Sequence, residues 1–225
     1  MIQLVIFDMA GTTVQDDDFV AECFIAALGE RGVSITAEDA RPVMGIPKPL
    51  AIKSMIDHKR SARPASSEEI ESIHQSFIKA MIHLYQTDSR VKEIEGASAV
   101  FAKLRQNNIK IGLDTGFSRD IAQTIIDRLD WNEKIDASVT SDEVANGRPA
   151  PDMGLKLMAQ LGIDDPQQLV KVGDTASDLG EGAALGVAYN IGVCSGAYSR
   201  EQLAAEPHTH ILDSIRELPA VLGLG

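Results

Sequence analysis

Four short stretches put groups that can do chemistry at the ends of apolar runs. Asp8 follows Leu4-Val5-Ile6-Phe7, and Asp114-Thr115-Gly116 follows Ile109 to Leu113. Arg148 lies in Asn146-Gly147-Arg148-Pro149, after a run from Ile135 to Thr140. Asp174 follows Leu169 to Val172 within Gly173-Asp174-Thr175. A lone acid at such an end can be just a helix cap. Two acids, a hydroxyl and a cation at successive ends point instead to a site. Asp8 and Asp174 make a pair of hard oxygen ligands suited to Mg2+. A metal there screens Asp8 from an anionic phosphorus centre, so that the carboxylate can attack it. Gly11 and Thr12 in the turn after Asp8, together with Thr115 and Gly116, can hydrogen-bond phosphoryl oxygens. Arg148 can neutralise charge that develops in the transition state. Asp178, with Thr175 before it, either caps a helix or orients a water on the metal.

These groups need a sheet to bring them together. The runs are rich in β-branched residues and short, as in strands buried on both faces. From about residue 96 they alternate with helical patterns: 97–104, 118–129, 153–161 and 177–185. That alternation, joined to the N-terminal strand, predicts a Rossmann-like, doubly wound parallel α/β sheet. The carboxyl ends of such strands share the edge where ligands bind.

Residues 16 to 89 show no strand pattern. Val20, Cys23, Phe24, Ala27 and Leu28 recur at helical spacing, and a short helix runs from Thr36 toward Met44. Gly45-Ile46-Pro47-Lys48-Pro49 interrupts the pattern, and a helix resumes from Leu50 to His58. After a loop from Ser61 to Ser67, a long helix carries Ile70, Ile73, Phe77, Met81 and Leu84 on one face. The expected organisation is a core of residues 1–15 and 90–225, with an all-helical cap of 16–89 inserted after the first strand. Such a cap can exclude water from the site. Its stripe at 70–84 reads as cap core, and part of it could serve a cap-to-cap homodimer. The run Gln15-Asp16-Asp17-Asp18 reads as a solvated connector with a helix N-cap. His74 and His83 fall on opposite faces of one helix, His58 ends a basic helix where it favours the dipole, His208 and His210 read as surface groups, and Trp131 as core.

The chain has 225 residues, 44% of them hydrophobic, with 33 acidic and 21 basic residues and a formal net charge of −12. That balance excludes nucleic acid as the main partner, since phosphate backbones need clustered Lys and Arg. A small phosphorylated substrate needs only local cations or a metal. Two cysteines, Cys23 and Cys194, form no metal spacing and no disulfide framework, which suits a reducing cytoplasm. No apolar run approaches a membrane span, and the N-terminus lacks the basic region of a signal peptide.

The motifs Asp8-Met9-Ala10-Gly11-Thr12-Thr13, Thr115, Arg148 and Gly173-Asp174-Thr175-Ala176-Ser177-Asp178 resemble the four motifs of the haloacid dehalogenase superfamily. The resemblance implies a Rossmann-like core, Mg2+ held by Asp8, Asp174 and the Ala10 backbone carbonyl, and an aspartyl-phosphate intermediate on Asp8. Two departures from the common pattern, Ala10 for the second aspartate and Arg148 for the usual lysine, are features of its phosphonatase branch. The stretch from Arg31 to Lys48 is similar to that branch as well. By position, the resemblance makes Lys48, four residues after Met44 of Met44-Gly45, the lysine that forms a Schiff base with a substrate aldehyde. Met44 and Gly45 would then line the cap side of the pocket. Other family groups are replaced: a cap histidine by Ala51, a tyrosine by Phe117, an aromatic residue by Met9, and a cap cysteine by Asp18. The reaction implied is cleavage of a carbon–phosphorus bond in a phosphonate aldehyde. A phosphatase or phosphomutase acting on a small phosphate ester is the alternative, and a non-catalytic phosphate-binding protein a second.

Overall fold

A computed structural model describes residues 1–60 and 64–224. The sequence-expected loop from Ser61 therefore lies partly outside the described residues. Among the described residues, β1 (Leu4–Asp8), β2 (Lys110–Thr115), β3 (Ala137–Thr140), β4 (Leu169–Gly173), β5 (Tyr189–Val193) and β6 (His210–Leu212) form one parallel sheet. Its order is β3-β2-β1-β4-β5-β6, so the chain reverses direction across the sheet beside β1. This is the doubly wound Rossmann-like α/β sheet that the alternation predicts.

Strand alternation sends successive side chains to opposite faces. Val5 and Phe7, with Ile111, Leu113, Val170 and Val172, join one core cluster. Leu4 and Ile6, with Val139 and Leu169, join a second. Helices α5 (Ala97–Gln106) and α6 (Arg119–Arg128) supply Phe101, Leu104, Ile121 and Ile125 to the first cluster. Helices α7 (Asp152–Leu161) and α8 (Ala176–Leu185) supply Leu157 and Leu185 to the second. Short helices α9 (Arg200–Ala204) and α10 (Leu218–Val221) close the chain. Trp131 is buried and meets Phe101 edge to face at 5.3 Å, a core role.

Between β1 and α5 the described chain is helical: α1 (Phe19–Gly29), α2 (Ala37–Ala40), α3 (Lys48–Lys59) and α4 (Ser67–Thr87). Ser66 caps α4 by accepting from the Glu69 amide at 3.1 Å. The buried face of α4 is Ile73, Phe77, Met81 and Tyr85, while Ile70 and Leu84 are half-buried. Phe24 of α1 stacks on Phe77 at 4.4 Å. Tyr85 reaches Phe117, beyond the end of β2, at 6.2 Å, so these helices and the sheet share one apolar cluster.

Two local readings change. The expected break at 45–49 is shorter, because α3 begins at Lys48 with Pro49 in its first turn. There the missing proline N–H would have had no helical partner anyway. The acidic run is not simply a solvated cap either. Asp18 occupies the N-cap of α1 with φ 62° and makes no side-chain cap bond. It is the Asp16 carboxylate that accepts from the Val20 amide, at 3.3 Å.

No described helix is long and apolar enough to cross a membrane.

Candidate active site

At the carboxyl edge of the sheet, β1 and β2 set Asp8 directly opposite Asp114. Like charges facing across a strand pair repel, so this register needs cations. Arg148 Nη1 lies 2.7 Å from Asp8 and 3.8 Å from Asp114, and also pairs with Asp178. Lys171, inside β4, lies 2.5 Å from Asp114 and 2.7 Å from Glu181. Asp178 does two jobs at once. One oxygen meets Arg148; the other accepts from the Thr175 amide at 3.2 Å and its hydroxyl at 2.5 Å, capping α8. Capping and positioning are thus combined in one residue.

A cavity of about 160 Å³ opens above this edge. Asp8, Thr115, Arg148 and Asp174 line it from the sheet side, and Met44, Gly45 and Lys48 from the helical side. Every expected catalytic position therefore faces one space. The Thr115 hydroxyl oxygen accepts from the Phe117 amide at 3.2 Å, which leaves its own hydrogen for a ligand. Among the described residues, the buried Arg148 Nε has no hydrogen-bond partner.

The turn after Asp8 differs from expectation. The amides of Thr12, Thr13 and Val14 donate to the Met9 carbonyl, and the Gly11 amide to the Val14 carbonyl. A turn closed on itself in this way does not present those N–H groups to a phosphate. Thr12 is buried, and its hydroxyl donates to Asp174 at 3.1 Å, so it holds a carboxylate rather than a phosphoryl oxygen. Gly11 still lines the cavity. A Cβ there would come 2.5 Å from Asp174 Oδ2, so only glycine lets the turn approach so closely. Gly116 also lines the cavity, packed against the Ile46 carbonyl.

The buried charges are Asp8, Asp114, Asp174, Asp178 and Glu181 against Lys48, Arg148 and Lys171. Asp8, Asp114 and Asp178 can bring ligand atoms within 4.8 Å of one another, but Arg148 and Lys171 already lie among them. That trio is an ion-pair cluster. Asp174 is different: it accepts from Thr12 and, at 2.7 Å, from the Ala197 amide, and has no cationic partner among the described residues. Burial and the neighbouring charges of Asp8 and Asp178 push its proton affinity well above the usual carboxylate range. Burial, outweighing the Arg148 pair, raises Asp8 to about 7. Burial and Asp114 raise Glu181 to about 8. The carboxyls outnumber the cations by two, and the hard oxygen donors of Asp8 and Asp174, which resist ionising without a cation, fit one divalent cation of the Mg2+ type.

Lys48 is buried, and among the described residues no carboxylate lies within ion-pair distance of it. Its Nζ sits 5.1 Å from the Phe117 ring centre and 5.7 Å from that of Phe24. Burial first, then Arg148, lowers its pKa to about 8. Roughly a tenth of the amine is then neutral at pH 7, against fewer than about one in a thousand for an ordinary lysine.

Sequence reading missed Lys171, Glu181 and Asp16. A lysine inside the apolar run Leu169-Val170-Lys171-Val172 was a signal for the first. Asp16 gave none, because only the folded chain turns it toward the cavity.

Residues 2–186 match the model of haloacid dehalogenase-like hydrolases. Phosphonoacetaldehyde hydrolase of Bacillus cereus strain B4264 is 34% identical over 224 residues, covering 95% of this chain and 83% of that protein. Among solved structures, a phosphonoacetaldehyde hydrolase-like protein from Oleispira antarctica superposes with a TM-score of 0.84 at 24% identity, covering 99% of this chain and 91% of that one. The β-phosphoglucomutase of Clostridium difficile gives 0.82 at 18% identity, covering 100% and 97%. The superposed structures share the fold, and the matched residues 2–186 include Asp8, Lys48, Thr115, Arg148 and Asp174. The chain belongs to the haloacid dehalogenase-like hydrolase family.

Proposed function

We propose that the protein is a Mg2+-dependent hydrolase that cleaves the carbon–phosphorus bond of a small phosphonate aldehyde such as phosphonoacetaldehyde. One observation carries this reading: a buried lysine with a lowered pKa, unpaired among the described residues, lines one cavity with Asp8. The 34% identity to a phosphonoacetaldehyde hydrolase supports it.

Neutral Lys48 attacks the aldehyde carbon and becomes an iminium after loss of water. Asp8 then attacks phosphorus. The carbon–phosphorus electron pair moves toward the iminium nitrogen, giving an enamine and an aspartyl phosphate. A carbon leaving group needs that electron sink, which explains why Ala10 can stand where an acid would serve an ester. Water later hydrolyses the aspartyl phosphate. Arg148 and the Thr115 hydroxyl orient the phosphoryl oxygens and offset their charge. Asp174, Asp8 and the Ala10 carbonyl would hold Mg2+, which supplies charge neutralisation when bound. The helices from α1 to α4 act as the cap that excludes water. The substrate is a small anion; neither nucleic acid nor a membrane is a partner in this reading, and the cap remains our candidate face for a homodimer.

A turnover screen tests this. Phosphonoacetaldehyde should be hydrolysed faster than any small phosphate ester. Preference for an ester would favour the phosphatase or phosphomutase reading, for which the same Asp8, Thr115, Arg148 and Asp174 would serve.

A further inference from the structure

We propose that Asp16 is the acid and base that carries protons for Lys48 during imine formation and enamine breakdown. This rests on the phosphonate-aldehyde reading above and adds a catalytic residue to it.

Imine chemistry needs a group that both takes and gives a proton beside the nitrogen. Few cavity residues offer one. The aromatic neighbours of the Lys48 amine, Phe24 and Phe117, carry no exchangeable proton, and neither does Ala51, one turn along α3. Asp8 and Asp174 are committed to phosphorus and metal, and Asp18, which also lines the cavity, is exposed and makes no side-chain cap bond to hold it. Arg148 and Arg41 carry guanidinium groups, which have donors but no acceptor atom to take a proton. Asp16 lines the same cavity as Lys48, is half-buried, and is close enough for mutual electrostatic influence, yet it makes no ion pair with the lysine. A substrate oxygen or a water can therefore stand between them.

The side chain is also held. Its carboxylate accepts from the Val20 amide at 3.3 Å, tying it to the first turn of α1. Burial is the largest influence on it and raises its proton affinity above the usual carboxylate value, opposed by that backbone bond and by Lys48. The other titratable groups bearing on it are Asp18 beside it, Cys23 from α1 and Tyr85 from α4. A carboxyl shifted upward holds its proton more readily than an ordinary one, which suits a group that must both take and give a proton.

The proton count closes. Starting as an ammonium, Lys48 loses two protons on the way to the iminium, and the aldehyde oxygen gains two and leaves as water. Asp16 receives each from nitrogen, passes it to oxygen, and ends unchanged. Carbon–phosphorus cleavage moves no proton. Asp16, protonated from solvent, then gives one proton to the terminal enamine carbon, restoring an iminium. Water hydrolyses this to the aldehyde and the Lys48 ammonium.

The test uses Asp16→Asn, which keeps the shape and can still accept from Val20, and Asp16→Ala. With phosphonoacetaldehyde, kcat and the rate of borohydride-trappable adduct formation at Lys48 should both fall about 100-fold in Asp16→Asn. Formate should restore rate to Asp16→Ala in proportion to its concentration, an effect that a purely structural role would not produce. Wild-type adduct formation with both variants within threefold of the wild type would overturn the role of Asp16 alone, as would Asp16→Ala failing to respond to formate. No adduct in the wild-type protein would overturn the Lys48 reading and this one with it.

Discussion

At the scale of single residues, Asp8 and Lys48 carry opposite strains. Asp8 is a buried carboxylate whose charge is disfavoured by burial and by Asp178, although Arg148 sits 2.7 Å away. Asp8→Asn should abolish turnover while leaving the melting temperature unchanged or raised, because it removes a buried charge without changing shape. Activity assays paired with thermal unfolding check this; an active Asp8→Asn protein would sink the nucleophile assignment. Lys48 titrates near pH 8, so the neutral amine becomes tenfold more abundant for each pH unit gained below that value. The pH profile of kcat/KM on phosphonoacetaldehyde should rise to about pH 8 and then level. Lys48→Arg, which cannot lose its proton, should remove both the activity and the rise. A profile flat from pH 6 to 8 in the wild type would contradict the lowered lysine.

At the scale of elements, the strand ends were legible and the groups between them were not. An apolar run ending in an acid marks a buried strand opening onto a site, so Asp8, Thr115 and Asp174 stood out, and Arg148 stood out as a cation in the turn. The turn amides from Gly11 to Val14 looked available because sequence cannot tell a turn open to a ligand from one closed on its own carbonyls. Pro49 looked like a break because its place in the first turn of α3 depends on where the helix begins. Asp16 looked solvated because its direction is set by the entry into α1. The seam between helices and sheet is close at Gly45, which has φ 78° and would put a Cβ 2.5 Å from Thr175 Oγ1. Gly45→Ala should therefore cost about 1–2 kcal/mol from the left-handed backbone alone. It should lower activity more than tenfold by lifting the Met44–Lys48 segment off the site. Denaturant unfolding and kcat measured together check this, and an alanine variant with full activity would contradict the close seam.

At the scale of the whole molecule, charge is the organising quantity. The chain carries a net charge of −12, and its site concentrates five buried carboxyls against three buried cations. A carboxyl whose folded pKa is raised binds its proton more tightly in the folded state. For Asp8, whose pKa rises from 3.8 to about 7, the stability of the metal-free protein falls as pH climbs between those values. Saturating Mg2+ removes that loss by replacing the proton. The gain in melting temperature on adding Mg2+ should thus be larger at pH 8 than at pH 5, as thermal scans with and without chelator would show. Equal gains at both pH values would contradict the metal assignment to Asp8 and Asp174.

In the proposed reaction Lys48 and Asp8 act on one substrate from opposite sides of one cavity. Borohydride added to the protein with phosphonoacetaldehyde, followed by peptide mapping, tests it most directly. A reduced adduct should form on Lys48 in the wild type, and a more abundant one in Asp8→Asn, where the iminium forms but the carbon–phosphorus bond cannot break. An unmodified Lys48 in both proteins, with phosphate esters still hydrolysed by the wild type, would contradict it.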